Sequence, residues 1–171
     1  MEKDFVSSAG EELIAEFLEE KGIKFQSQVK IHNLDGDNVE YRIADFYLPR
    51  YKVYMEFLGK WGEEESRIKY NHKKKVYEKN VIPCVYIYPD NLGIFDFIFR
   101  RRTREVLNNH PELKFQRLKY NFDILMEDRI PLLILVGAFV YEIADIKVRI
   151  ILSLVFAFIL YNAIKSTFLK K

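Results

Sequence analysis

The 171-residue sequence contains little cysteine, proline, glycine or histidine, with 1, 5, 7 and 3 copies respectively. Its single cysteine, Cys84, lies inside the apolar run VIPCVYIYP, which excludes a disulfide framework and a cysteine-based metal site. The histidines are scattered without metal-ligand spacing, and we interpret them as surface residues: His32, His72 and His110. The N-terminal stretch MEKDFVSSAGEE lacks a basic region followed by an apolar core, so we expect no signal peptide and a cytosolic main domain.

Charge is nearly balanced, with a formal net charge of +2, but it is unevenly distributed. Residues 1–59 carry 7 Lys/Arg against 12 Asp/Glu, whereas residues 60–120 carry 14 Lys/Arg against 8 Asp/Glu. An acidic lobe beside a basic lobe suits a site where carboxylates hold metal ions and basic residues hold phosphates. The alternative is an ordinary solvated surface.

The hydrophobic pattern predicts the order helix, three strands, helix, strand, helix. Residues 8–21 begin with a serine cap and end before a glycine, as an amphipathic helix does. The stretches IKFQSQVKI, YRIADFYL and KVYMEFLG alternate as strands, and the last two form a hairpin around Pro49-Arg50. Helices fit residues 64–79 and 92–108, and the apolar run between them is typical of a buried strand. We therefore predict an α/β fold, with a mixed sheet flanked by helices.

Composition divides the chain into a main domain (1–110), a linker (111–129) and a hydrophobic segment (130–171). The hydrophobic segment contains IPLLILVGAFVY, with 12 uncharged residues, and IILSLVFAFILYNAI, with 15. Extended to Ile130–Ile146 and Val148–Ile164, both runs reach the lower limit for spanning a bilayer, about 17 residues. The basic KSTFLKK after them follows the positive-inside rule. We expect a two-helix transmembrane hairpin in the cell membrane, with the main domain facing the cytoplasm; the alternative is a hairpin buried in a soluble homodimer.

Two carboxylates, Asp45 and Glu56, occupy the strands of the predicted hairpin. Because side chains alternate along each strand, a loop with an even number of residues puts both acids on one face, and an odd loop separates them. A two-residue loop places them diagonally, and a four-residue loop pairs them directly. Convergent acids in an apolar hairpin need a compensating cation or become protonated. Mg²⁺, a hard ion that prefers oxygen ligands, is a suitable cation.

A third acid, Glu11, is selected by its position on the first predicted helix. At 100° per residue Glu11 borders the apolar stripe, whereas the other glutamates of this helix lie away from it. Glu11 therefore leans toward the sheet. The alternative is an acid near a helix N-terminus that is favoured by the macrodipole.

The stretches SAGEELIAEFLEEKGIKF and YRIADFYLPRYKVYMEFLG, followed by WG, YNHKKKVYEKN and VIPCVYIYP, resemble the PD-(D/E)xK nuclease superfamily. Within it they are similar to the restriction-endonuclease-like modules attached to some helicases, over residues 5 to about 90. The resemblance implies a restriction-endonuclease-like sheet flanked by helices. It also carries the family's helix glutamate, strand aspartate and second-strand acid over to Glu11, Asp45 and Glu56.

The sequence departs from the family pattern at two positions. Ala44 replaces the proline before the motif aspartate, and Leu58 replaces the motif lysine two residues after the acid. Some relatives supply this lysine from the following helix. The pattern of a lysine four residues before a tyrosine selects Lys73, ahead of Tyr77, and Lys60 is the second choice. The alternative is a solvated basic helix face on a fold that binds nucleic acid without cutting it.

The resemblance implies a nuclease that hydrolyses phosphodiester bonds in DNA, and the hydrophobic segment would anchor it in the membrane. Asp45 and Glu56 would hold Mg²⁺ or Mn²⁺, Lys73 would position the attacking water, and Glu11 would complete the outer site. A second possibility is a catalytically inactive nuclease-like fold that binds nucleic acid or a protein. The cluster RRRTR is predicted either to grip phosphates or to lie on anionic lipid, through Arg100, Arg101, Arg102 and Arg104.

Overall fold

A computed structural model describes residues 8–143, 146, 148–151, 153–155, 157 and 158. The chain divides into two compact units, Met1–Asn121 and Phe122–Lys171. The helices are α1 (Ala9–Glu20), α2 (Glu64–Lys79), α3 (Phe95–Asn109) and α4 (Lys114–Ile143), with two 3₁₀ helices at Pro89–Ile94 and Pro111–Leu113. The strands are β1 (Gln26–His32), β2 (Tyr41–Leu48), β3 (Val53–Phe57) and β4 (Cys84–Ile87).

The four strands form one mixed sheet in the order β1-β2-β3-β4. The first two pairings are antiparallel, and β3 and β4 run parallel because α2 connects them. The structure confirms the predicted α/β class, in which helices pack on a mixed sheet. The predicted order of elements is also confirmed, although α3 begins three residues later than expected because Pro89–Ile94 is a separate 3₁₀ helix.

Helix α1 begins and ends with well-known capping interactions. The Ser8 side chain caps the helix by accepting a hydrogen bond from the Glu11 backbone N–H, at 3.3 Å. At the other end Gly22 adopts a positive φ of 63°, and the N–H groups of Gly22 and Ile23 donate to the carbonyls of Glu19 and Leu18. This is the Schellman arrangement, for which glycine is the favoured residue. Capping therefore fixes both ends of α1.

The hairpin between β2 and β3 has a four-residue loop, because the last paired residues are Leu48 and Val53. The loop closes with a Tyr51 N–H to Leu48 carbonyl bond of 3.1 Å, and Lys52 turns the chain at a positive φ of 55°. The loop therefore has the longer of the two even-numbered lengths, four residues rather than two. It determines which residues face each other across the hairpin.

Helix α2 ends in the same way as α1, but without a glycine. The N–H groups of Val81 and Ile82 donate to the carbonyls of Glu78 and Tyr77, and Val81 has a φ of 53°. A β-branched side chain is strained in this left-handed region. Val81 is also 60% exposed, so packing does not compensate for the strain.

The core of the first unit joins the sheet to the helices. Phe17 on α1 makes edge-to-face contacts with Phe95 and Phe99 on α3, with ring centroids 4.8 and 5.7 Å apart. The largest fully buried side chains include one or more from each of α1, α2, α3 and three of the strands: Ile14, Leu18, Leu48, Met55, Tyr77, Ile87, Phe99 and Leu107. Apolar contacts therefore hold the sheet to the helices.

The segment predicted as a linker, residues 111–129, contains Pro111–Leu113 and the first part of α4. The first helix of the predicted hairpin falls partly on α4, and the second, Val148–Ile164, lies partly outside the described residues. Among the residues that the structure describes, none of the helices combines the length and apolar character needed to cross a bilayer.

Candidate functional site

The two acids face each other directly across the β2–β3 hairpin. Phe46 pairs with Met55, so the next step of the same register places Asp45 opposite Glu56. Extending the row over the neighbouring strands brings Gln28 of β1 opposite Asp45 and Tyr86 of β4 opposite Glu56. A single row across the sheet thus contains an amide, two carboxyl groups and a phenol.

Glu56 is a buried acid, only 3% exposed, with donors at both carboxylate oxygens. The Lys73 ammonium donates to its Oε2 at 2.6 Å, and the Tyr77 hydroxyl donates to its Oε1 at 2.9 Å. Burial raises the pKa of Glu56 to about 7, although Lys73 opposes the rise and the nearby Asp45 reinforces it. Burial therefore makes the neutral form of this carboxyl group easier to reach than in an exposed glutamate.

Asp45 is partly buried and is held by the neighbouring strand. Its Oδ2 accepts a 2.7 Å hydrogen bond from the backbone N–H of Phe57. Burial raises the pKa of Asp45 to about 6, the Phe57 N–H and Lys73 lower it, and the negative charge of Glu11 raises it again. The site accordingly contains two adjacent acids whose pKa values both lie above their ordinary range.

Lys73 is the cation that the structure brings to these acids. Helix α2 projects it so that Nζ also donates to the Ile43 carbonyl of β2, at 2.7 Å. One ammonium group therefore links α2 with both strands of the hairpin. Lys60, the second choice, is an exposed residue of the loop after β3, and its backbone N–H donates to the Tyr70 hydroxyl at 3.3 Å.

The position to which the resemblance assigns a lysine is occupied by a residue of the core. Leu58 is 1% exposed, and its N–H donates to the Ile87 carbonyl at 2.7 Å, which extends the β3–β4 pairing. A lysine at this point would have to bring its charge out of an apolar environment. Lys73 therefore supplies from α2 the positive charge that Leu58 does not.

Glu11 lies at the start of α1, with its carboxylate accepting a 2.9 Å hydrogen bond from the Ser8 hydroxyl. Burial is the main cause of the raised pKa of Asp45, and the negative charge of Glu11 adds to the rise. Gly10 sets the position of Glu11, because a Cβ at Gly10 would lie 2.2 Å from the Phe57 ring. The closeness of helix and strand at Gly10 thus places Glu11 beside the site.

The residue next to Lys73 has different surroundings. Lys74 Nζ lies 4.7, 4.8 and 4.9 Å from the ring centroids of Trp61, Tyr86 and Tyr88, and it donates to the Tyr88 hydroxyl at 2.5 Å. Trp61 also stacks on Tyr70 of α2. Lys74 therefore stabilises the packing of an aromatic cluster, whereas Lys73 lies beside the two acids.

The four predicted arginines of α3 do not share one environment. Arg102 donates to the Tyr86 carbonyl and lies 5.1 Å from the Tyr88 ring centroid. Arg100 pairs with Asp96 and Arg101 with Glu105, in each case one helical turn away. Arg101 and Arg104 are exposed, and Arg100 and Arg102 are partly buried. Only part of this cluster is therefore placed to meet a large ligand.

Gln28 is the site residue that the sequence did not indicate. Its backbone has a positive φ of 52° inside β1, a strained conformation for a non-glycine residue. Its side chain lowers the pKa of the Asp45 carboxyl group, opposite which the register places it. A glutamine in an edge strand carries no recognisable signal, so only the register of β1 and β2 reveals its position.

The oxygen donors of this row suit a hard divalent ion. Within the described part of the chain, no three side chains of His, Cys, Asp or Glu are grouped so as to hold a metal ion. Asp45 and Glu56 nevertheless offer carboxylate oxygens with spare lone pairs, and the Oε1 atom of Gln28 is buried without a hydrogen-bond partner among the described residues. Carboxylates and amide oxygens are typical ligands of such ions. The donor set therefore fits Mg²⁺ or Mn²⁺.

Comparisons of this chain with protein-family models, with curated proteins and with solved structures find no match.

Proposed function

We propose that this protein is a Mg²⁺- or Mn²⁺-dependent nuclease of the PD-(D/E)xK type, which hydrolyses phosphodiester bonds in DNA. The observation that supports this proposal best is the contact between Lys73 of α2 and Glu56 of β3, with Asp45 opposite on β2. A pair of acids with one lysine is the set that the family resemblance requires. The mixed sheet with flanking helices is compatible with a restriction-endonuclease-like fold.

In this proposal Asp45 and Glu56 would hold the divalent ion, which when bound would polarise the phosphate and lower the pKa of a bound water. Lys73 is placed to orient that water and to offset negative charge that develops on the phosphate. Tyr77 holds the Glu56 carboxylate in position through its 2.9 Å hydrogen bond. Glu11 contributes negative charge from outside the pair.

The proposal is tested by incubating the full-length chain with single-stranded, duplex and branched DNA in the presence of Mg²⁺ or Mn²⁺. We expect cutting to be lost in Asp45→Asn and Glu56→Gln and strongly reduced in Lys73→Ala. Matched controls are Glu16→Gln, an exposed acid of α1, and Lys75→Ala, an exposed lysine of α2. Equal cutting by Asp45→Asn and wild type would overturn the proposal.

The second candidate function is a nuclease-like fold that binds nucleic acid or a protein without cutting. The charge balance of the contact between Lys73 and Glu56 favours it. The Lys73 ammonium itself compensates the buried charge of Glu56, so the fold does not need a metal ion for that purpose. This reading predicts that wild type binds DNA but no divalent ion. It also predicts unchanged DNA binding in the Asp45→Asn and Glu56→Gln variants.

We also propose that DNA contacts α3 through its exposed arginines, Arg101 and Arg104, with smaller roles for Arg100 and Arg102. Replacing Arg101 and Arg104 by glutamine should weaken binding and lessen its dependence on salt, because fewer counterions are released. Unchanged binding would leave anionic lipid as the ligand of this face.

We further propose that residues 130–171 anchor the protein in the cell membrane as a helical hairpin. The two long uncharged runs support this, as do the exposed apolar side chains of Ile146, Ile151, Leu154 and Phe158, with 61–71% exposure. The test is the distribution of the full-length chain between membrane and soluble fractions. Full recovery in the soluble fraction as a dimer would instead favour the buried hairpin.

A further inference from the structure

Gln28 differs from an ordinary edge-strand glutamine in its backbone conformation, in its position opposite Asp45 and in its buried amide oxygen. It holds a positive φ of 52° in the middle of β1, between the pairs Ser27–Phe46 and Val29–Ala44. For a non-glycine residue this conformation is unfavourable and persists only where the surroundings impose it. Strain of this kind at one end of the row of polar residues suggests that the direction of this side chain matters.

The two ends of the Gln28 amide have different surroundings. The register places Gln28 opposite Asp45, and the Gln28 side chain lowers the pKa of Asp45, as an amide N–H directed at a carboxylate does. The amide oxygen Oε1 is then the other end of the group. It is buried and has no hydrogen-bond partner in the described part of the chain. Leaving a buried carbonyl oxygen unsatisfied is unfavourable unless something else binds it.

From this geometry we infer that Gln28 Oε1 is the third oxygen ligand of the divalent ion held by Asp45 and Glu56. The inference rests on the proposed metal-dependent function and adds a residue from a third strand to the ligand set. A neutral amide oxygen is a suitable ligand here, because a third carboxylate would increase the repulsion between charges that are already buried.

The first test is calorimetric titration of Mn²⁺ into the full-length chain, for wild type and Gln28→Met. Methionine has a similar length but lacks the amide oxygen. We expect Gln28→Met to bind Mn²⁺ at least about tenfold more weakly, since loss of a residue that only supports a ligand already costs 10- to 100-fold. The matched control is Gln26→Met, an exposed glutamine of the same strand, which should bind Mn²⁺ like wild type.

The second test separates a ligand from a residue that only orients Asp45. Gln28→Cys introduces a thiolate, which prefers soft ions, so its affinity for Cd²⁺ relative to Mn²⁺ should rise well above the wild-type ratio. A thiolate-to-cadmium absorption band in the ultraviolet should accompany binding. Gln26→Cys is the control for the added thiol, and wild type is the control for the native buried Cys84.

Each outcome has a distinct meaning. Weaker Mn²⁺ binding in Gln28→Met, together with the cadmium preference and absorption band of Gln28→Cys, supports ligation. Wild-type affinity in Gln28→Met overturns the inference and leaves the proposed function standing. Weaker Mn²⁺ binding without the cadmium preference also overturns it, and makes Gln28 a positioning residue. If wild type itself binds no divalent ion, the proposed function fails, and with it this inference.

Discussion

The Lys73 ammonium lies 2.6 Å from Glu56 Oε2, joining residues that are 17 positions apart in the sequence. This ion pair is largely shielded from water, since the side chains of Lys73 and Glu56 are 18% and 3% exposed. Buried pairs are sensitive to the loss of one partner, because the remaining charge is left without compensation. The pair therefore makes the stability of the first unit depend on α2.

Lys73→Met is expected to destabilise the protein by about 3 kcal/mol at pH 8, where Glu56 is ionised and would lose its cation. At pH 5.5 the loss should be smaller, because Glu56 is then largely protonated in both proteins. Denaturant unfolding at the two pH values measures the difference. Lys75→Met, an exposed change on the same helix, should have little effect. An equal loss at both pH values would mean that the lysine acts through packing alone.

The stability of the metal-free protein should fall as pH rises from about 4 to about 7. Because the pKa values of Asp45 and Glu56 are raised to about 6 and about 7, the folded state binds more protons in this range than the unfolded state. For one group, a rise of two pKa units corresponds to about 3 kcal/mol.

Asp45→Asn/Glu56→Gln removes both titrating groups and serves as the reference, since the contributions of all other groups cancel in the comparison. The free energy of unfolding of wild type minus that of this variant should decrease between pH 4 and pH 7 and then level off. A difference that stays constant with pH would mean that neither acid has a raised pKa.

Gly10→Ala tests whether the contact between α1 and β3 positions Glu11. A Cβ at Gly10 would lie 2.2 Å from the Phe57 ring, so helix or ring must move, at an expected cost of about 1–3 kcal/mol. The same movement should lower the pKa of Asp45, because the charge of Glu11 withdraws. Gly62→Ala is the control, since nothing lies within 4 Å of its Cβ position. Thermal unfolding and NMR titration of the Asp45 carboxyl group measure the two effects.

The sequence predicts those features of this site that follow from local strand geometry, but not those that depend on unusual backbone conformations. Strand alternation is a local property, so the sequence predicts that Asp45 and Glu56 share a face if the hairpin loop has an even number of residues. The sequence does not predict the loop length, because the length depends on the positive φ of Lys52, for which lysine carries no signal. It does not predict the role of Gln28 either, because glutamine carries no signal for a positive φ.

The choice among the lysines of α2 shows a further limit. Helical spacing cannot distinguish Lys73 from Lys74, because both lie on the side of α2 that meets the sheet, and it was family resemblance that selected Lys73. Tertiary contacts distinguish the two lysines. Lys73 donates hydrogen bonds to Glu56 and Ile43, whereas Lys74 lies over aromatic rings that include Trp61. Such contacts arise from residues far apart in sequence.

Val81→Gly should stabilise the protein by about 1 kcal/mol. The backbone at Val81 is left-handed, which a β-branched residue tolerates poorly, and the gain is partly offset by the larger entropy of glycine in the unfolded chain. Gly22→Val is the reverse change, in the same motif at the end of α1, and should destabilise by a similar or larger amount. Chemical denaturation measures both. Loss of stability in Val81→Gly would show that the valine side chain makes a contact that outweighs the strain.

Divalent metal binding should strengthen as pH rises from 6 to 8. The ion competes with protons for Asp45 and Glu56, whose pKa values of about 6 and about 7 mean that one or both are protonated at pH 6 and both are ionised at pH 8. We therefore expect Mn²⁺ affinity to increase roughly tenfold over this range, with protons released on binding. Calorimetry in buffers of different ionisation enthalpy measures affinity and proton release together. In Lys73→Met the pKa of Glu56 should rise further, so the increase should shift to higher pH. Affinity that does not change between pH 6 and 8 would exclude these two acids as the ligands.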